Sequence, residues 1–171
     1  NRVKLTLPDG TEQIFDEVIL ACHADQSLRL LSSPTPEEKA LLKRFPYQAN
    51  RVTLHSDDSV IPKRKSARAS WNAYLPKKNS SDALVTYDMN ILQNLPTREQ
   101  FCVSLNQQNL VDPKLIHGNH NFSHPTYHPG RKDAQSKHAS FIRNRGISLC
   151  GAYWGYGFHE DGLNSGLRVC E

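Results

Sequence analysis

The chain has 171 residues, 37% of them hydrophobic, enough for one buried core or for a core with a small satellite subdomain. A mean hydropathy of -0.61 and 22% charged residues are ordinary for a globular chain, and no apolar run approaches the roughly 18 residues of a helical membrane span, so an integral helical membrane protein is excluded. The net charge of +4 comes partly from Lys63, Arg64, Lys65 and Arg68, a cluster that reads as a solvated loop between strands and not as a nucleic-acid surface.

Val3-Lys4-Leu5-Thr6-Leu7 alternates apolar and polar residues at period two and predicts a strand. Pro8-Asp9-Gly10 supplies a turn, Gln13-Ile14-Phe15-Asp16 returns as a hairpin, and 18–22 reads as a buried strand. After His23 the pattern is helical, with Leu28 and Leu31 on one side, and Pro34-Thr35-Pro36-Glu37-Glu38 opens a second short helix through Ala40, Leu41 and Leu42. From Tyr47 onward, strands are expected over 51–55, 67–74, 83–89, 101–105 and 115–122, mainly antiparallel because the connections are too short for helical crossovers. A helix over about 132–144 should turn Ala134, His138, Phe141 and Ile142 inward, and Ile147-Ser148-Leu149-Cys150 reads as a short buried strand. The expected class is α+β, a mainly antiparallel or mixed sheet with a few short helices.

Asn1-Arg2-Val3-Lys4 enters a strand pattern at once, with no leader and no initiating Met. Leu163, Leu167 and Cys170 fall at i, i+4 and i+7 of a helix in which the chain stops, so both ends read as cuts in a longer protein. Cys22, Cys102, Cys150 and Cys170 stand far apart, most among apolar neighbours, and are expected to be buried reduced thiols of a cytoplasmic protein.

Five of the nine glycines lie within 151–166, interleaved with Tyr153, Trp154, Tyr156 and Phe158. Glycine lets the backbone approach a flat ring closely, and aromatic neighbours exclude water from it, as a redox-active isoalloxazine requires. A helix beginning near Gly162, capped by Asp161 or Glu160, would turn its positive end toward whatever lies in the loop. The residues alone also allow a glycine-rich turn with its aromatics packed in a core.

The run Cys150-Gly151-Ala152-Tyr153-Trp154-Gly155-Tyr156-Gly157-Phe158-His159-Glu160-Asp161-Gly162-Leu163-Asn164-Ser165-Gly166 closely resembles the carboxyl-terminal signature of a bacterial group of predicted NAD/FAD-binding proteins related to flavin-containing amine oxidases. Residues 15–25, Ala69-Ser70-Trp71-Asn72 and Thr86-Tyr87-Asp88-Met89-Asn90 also resemble that group. The resemblance implies the carboxyl-terminal portion of an FAD-dependent oxidoreductase that passes hydride from an amine or lipid-like small-molecule substrate to flavin. Residues 1–31 and 146–171 would belong with an FAD-binding domain and 32–145 with a substrate domain. Flavin contact carries over to Gly151, Ala152, Trp154, Gly157, Phe158, Glu160, Asp161, Gly162 and Leu163.

There are two departures from the family pattern. Many amine-oxidase relatives place an acidic residue where Ala152 and Tyr153 follow Cys150-Gly151, and no Gly-x-Gly-x-x-Gly occurs anywhere in the chain. The pyrophosphate grip is therefore expected from the remainder of the parent chain, and this chain alone is expected to bind FAD weakly or not at all. The competing class is a non-enzymatic interaction module that self-associates through its aromatic-rich end and exposed strand edges.

His117, His120, His124 and His128 form a dense stretch, but strand alternation and the interruptions at Pro125 and Pro129 argue against a compact metal site. No serine sits in a Gly-x-Ser-x-Gly elbow, and Cys150 has no base that spacing would assign to it. His159, inside the glycine loop, is a candidate for proton exchange or for a hydrogen-bonding support, and Trp71 and Asn72 are candidates for a substrate cavity or a strand core.

Overall fold

The computed structural model describes residues 2–75 and 84–171. Among them the strands are β1 (Val3–Thr6), β2 (Glu12–Phe15), β3 (Val18–Leu20), β4 (Tyr47–His55), β5 (Trp71–Ala73), β6 (Val85–Asp88), β7 (Cys102–Leu105), β8 (Ile116–Pro125) and β9 (Ile147–Leu149). The helices are α1 (Ala24–Leu30), α2 (Pro36–Leu42), α3 (Met89–Leu92), α4 (Arg131–Gln135) and α5 (His159–Cys170). The class is α+β. The chain divides into two compact units, Asn1–Gln48 with Pro125–Glu171, and Ala49–His124. Segments 32–48 and 125–145, expected with the middle of the chain, pack with the terminal segments because Leu41, Leu42, Phe45, Ala134 and Phe141 share one core cluster with Ala24, Leu149, Tyr153 and Trp154.

In the first unit, β1 and β2 form the expected hairpin, with Gly10 at φ +84° in its turn and the Asp9 carboxylate accepting from Thr11 N–H. β3 lies parallel to β9, with Val18 opposite Ile147 and Leu20 opposite Leu149. The strand expected over 18–22 stops at Leu20 and is not buried as expected: Ile19 is 49% exposed, and Val18 and Leu20 are half-buried. α2 starts at a full capping box: Thr35 Oγ1 accepts from Glu38 N–H, and the Glu38 carboxylate accepts from Thr35 N–H.

The helix expected over 132–144 is two shorter pieces, α4 and a 3-10 turn at His138–Phe141. Beyond the break His138 Nε2 lies 2.8 Å from the Leu149 carbonyl, while Ser136 donates back to the Asp133 carbonyl as α4 ends. Ala134, His138 and Phe141 are buried as the periodicity predicts, and Ile142 is half-buried.

The second unit holds a five-stranded sheet in the order β5-β6-β7-β4-β8. The registers are antiparallel, with Thr53 opposite Ser104, Thr86 opposite Ser104, and both His55 and Asp88 opposite Cys102. The strand expected over 67–74 shrinks to β5 because Arg68 turns back to the Pro62 carbonyl and the Asn72 side chain bonds both backbone groups of Ala69. The strand expected over 83–89 is β6. Its continuation becomes α3, started by the Asp88 carboxylate accepting from Ile91 N–H, and Ala83 lies outside the described residues.

The inner strands of this sheet hold a buried polar cluster of His55, Thr86 and Ser104, joined by Gln107. His55 Nδ1 accepts from Asp57 N–H, so Nε2 carries the proton and donates to Ser104 Oγ at 2.8 Å. Ser104 then reaches Thr86 Oγ1 at 2.6 Å, and Thr86 donates to Gln107 Oε1. Desolvation holds the His55 pKa below its ordinary value, against the attraction of Asp57.

Candidate functional site

β9 ends at Leu149, and the chain passes through Cys150, Gly151, a 3-10 turn at Ala152–Trp154 and Gly155 before α5 begins. Gly151 has φ +151°, and a Cβ there would lie 2.7 Å from the Tyr153 ring, so no other residue fits this turn. Its N–H donates to Ser165 Oγ at 2.8 Å, and Ser165 donates on to the Gly162 carbonyl. The Ala152 carbonyl accepts from both Gly155 and Gly157 N–H.

α5 begins at His159, three residues before the start expected at Gly162. Asp161 is not its cap residue but sits in the first turn and reaches back, accepting from Tyr156 N–H at 3.0 Å and from Phe158 N–H at 2.9 Å. These bonds, with that of Ser165 to Gly151, fix the rotation of the helix. Asp161, Ser165 and Val169 at i, i+4 and i+8 face inward, and the apolar positions Leu163 (57%), Leu167 (54%) and Cys170 are exposed. The helical spacing of Leu163, Leu167 and Cys170 holds, and that apolar stripe lies on the exposed face.

Trp154 is 7% exposed and its ring faces the core, stacked on His138 at 4.2 Å and edge-on to Phe45 at 5.4 Å. Phe158 is 62% exposed, and Glu160 and Gly157 are also at the surface. Gly151, Ala152, Asp161 and Gly162 are half-buried. The loop therefore offers an exposed stretch, Tyr156 to Glu160 with Leu163, resting on the buried pair Tyr153 and Trp154. His159 is exposed at the first position of α5.

Three supporting residues carry no motif and escape a reading by sequence alone. Arg131 and Gln135 on α4 bond the carbonyls of Tyr153 and Gly155, and the Tyr127 hydroxyl donates to the Tyr156 carbonyl. Their one sequence signal is the i, i+4 spacing of Arg131 and Gln135, which is common on any helix.

The buried His138 gives the first unit a pH dependence. Burial lowers its pKa, the hydrogen bond to Leu149 opposes that, and the charge of Arg168 adds to the lowering. The unfolded chain takes up a proton at the ordinary value of 6.5, whereas the folded chain does so only at lower pH. This contribution to stability is complete above about pH 6.5 and is lost as pH falls below it toward the lowered value. Melting followed by Trp154 fluorescence in a Trp71→Phe background should show a decline between about pH 7 and 5.5, with a shallower slope when His138→Gln is added. An unchanged slope in that variant would refute the assignment.

Trp71 is 60% exposed on β5 and packs edge-on to Tyr87 at 5.3 Å, while Asn72 serves the turn at Ala69. His120 stacks near Phe122, His124 meets Asn50 at 2.9 Å, and His117 bonds Ser56. Among the described residues no group of three or more His, Cys, Asp or Glu side chains is placed to hold a metal ion. All four cysteines are unpaired: Cys102 and Cys150 are buried, Cys22 is half-buried and Cys170 is exposed, in contrast to the burial expected of it. Desolvation pushes the Cys102 thiol up to about 12, which leaves it protonated and unreactive. Among the described residues no helix is long and apolar enough to cross a membrane. No protein-family model matches the chain, and no curated protein matches it.

Proposed function

We propose that the chain is the carboxyl-terminal portion of an FAD-dependent oxidoreductase of the amine-oxidase type, with residues 151–163 set against the isoalloxazine ring. The observation that carries this reading is the parallel pair β3 and β9, each of which runs at its carboxyl end into a helix start. β3 leads through Cys22 and His23 into α1, and β9 leads through the glycine loop into α5. The two connections are neighbours, since a Cβ on Gly151 would stand 3.3 Å from the Cys22 carbonyl. In sheets of parallel strands the ligand crevice lies outside the carboxyl ends, where such helix starts converge. The resemblance of residues 150–166 to the carboxyl-terminal signature of the flavoprotein group named above supports the same assignment.

The residues fit the ring of the cofactor and not its phosphates. Phe158 and Leu163 offer exposed apolar surface, and the first-turn N–H groups of His159, Glu160 and Asp161 take no partner among the described residues. The carboxylates of Glu160 and Asp161 in the same turn favour the helix but oppose a polyanion there, and the chain has no Gly-x-Gly-x-x-Gly. FAD, when bound, supplies hydride acceptance from an amine or lipid-like substrate. The chain's own residues hold the loop in shape and screen the ring from water.

Expressed with the coding sequence that precedes it, the protein should purify yellow and release FAD on denaturation, whereas the 171-residue chain alone should hold FAD weakly or not at all. An extended protein that is colourless and leaves added FAD free in equilibrium dialysis would overturn the proposal.

The exposed stripe Leu163, Leu167 and Cys170 favours a second reading, a non-enzymatic interaction module that self-associates. Light scattering over a range of concentrations tests it, and a strictly monomeric chain counts against it.

A further inference from the structure

We propose that Arg131, acting with Gln135, is a positioning residue that presets the flavin-facing loop before any ligand arrives, an inference that rests on the flavoprotein reading above. Arg131 is 4% exposed, and among the described residues no carboxylate lies within ion-pair distance of it. Backbone carbonyls and aromatic rings surround its charge instead, and Nε has no hydrogen-bond partner among the described residues. Nη2 donates to the carbonyls of Tyr153 and Gly155, each at 3.2 Å, and Nη1 donates to that of Thr126 at 3.3 Å. The guanidinium carbon lies 4.1 Å from the Tyr127 ring centre and 5.6 Å from that of Phe45. One turn further on, Gln135 Nε2 donates to the same two carbonyls at 3.0 and 2.6 Å.

A buried guanidinium without a counter-ion is costly to keep, and an apolar side chain would fill this core position at lower cost. What an apolar residue lacks is any donor, and what lysine lacks is a rigid planar fork that sets Nη2 on the Tyr153 and Gly155 carbonyls while Nη1 reaches that of Thr126. Because each peptide unit is planar, carbonyls drawn toward α4 send the following N–H groups the opposite way. Trp154 N–H closes on the Gly151 carbonyl and Tyr156 N–H closes on the Asp161 carboxylate. The loop is thus gripped on its carbonyl side by α4 and on its N–H side by α5. A surface shaped in advance loses less entropy on binding, so this clamp should contribute directly to affinity for the ring.

Arg131→Lys keeps the charge and loses the fork, and Gln135→Met removes the second donor without touching the buried cation. Gln135→Met serves as the test should the arginine variant fail to fold. Hydrogen exchange of the full chain should show the amides of Trp154, Gly155, Tyr156 and Gly157 exchanging at least about tenfold faster in both variants, the factor expected for one lost hydrogen bond to a charged or buried group. Amides of β6 and β7 in the other unit should be unchanged. In the FAD-binding protein the same variants should weaken FAD binding by about tenfold or more.

Unchanged loop exchange, or exchange rising equally in both units, overturns the clamp. Faster loop exchange with unaltered FAD affinity overturns its role toward flavin. A wild-type protein that binds no FAD refutes the functional reading instead, and the clamp is then decided by the exchange data alone.

Discussion

Phe45→Ala should lower the stability of the first unit by about 3–5 kcal/mol, the usual result of emptying a fully enclosed aromatic site. Phe45 is 1% exposed and meets Tyr153 at 4.9 Å and Trp154 at 5.4 Å between ring centres. It also lies under the Arg131 guanidinium, so its removal takes away both packing and one face of a buried cation's shell. Domains of this size are stable by only about 5–15 kcal/mol, so the variant should sit close to unfolding at room temperature. Denaturant titration followed by Trp154 fluorescence, in a Trp71→Phe background so that one unit is reported, measures the loss. Leu30→Ala, at a position 64% exposed, is the control and should change little. A loss below about 1 kcal/mol for Phe45→Ala would mean that the cluster around Trp154 is not the core.

Gly155→Ala should cost roughly 2–3 kcal/mol and loosen the loop, because the new methyl group would occupy the place of the Asp161 carboxylate. That carboxylate cannot step aside without giving up its bonds to Tyr156 and Phe158 N–H. The two substitutions should therefore be strongly non-additive: in an Asp161→Ala background, Gly155→Ala should cost far less. Equal costs in both backgrounds would show that the collision is not the reason for this glycine. Gly166→Ala makes the contrast, since nothing lies within 4 Å of a Cβ there, and replacing a mid-helix glycine should stabilise α5 by up to about 1 kcal/mol.

These glycines also show where a reading of the sequence stops. A glycine-rich segment beside a strand suggests a backbone that something approaches closely, and it does not say what approaches. Gly155 makes room for Asp161, and Gly157, at φ +89°, leaves space that a Cβ would contest with the Tyr127 hydroxyl at 2.6 Å. Both are accounted for by packing inside the chain. The exposed edge at Phe158 and the first turn of α5 remain as the surface for the flavin ring proposed above.

Local pattern alone determined the hairpin, the capped start of α2, most sheet strands and the α+β class, because each depends on neighbours within a few residues: a turn glycine, a capping box, an alternation of period two. Tertiary structure decided the rest. Nothing local makes β3 and β9 partners across more than a hundred residues, turns Asp161 and Ser165 inward while leaving Leu163 and Leu167 outside, or brings Arg131 to the carbonyls of Tyr153 and Gly155. Those outcomes follow from satisfying buried polar groups together, and a buried N–H or carbonyl is satisfied by whichever donor or acceptor the fold brings near, whatever its distance along the chain.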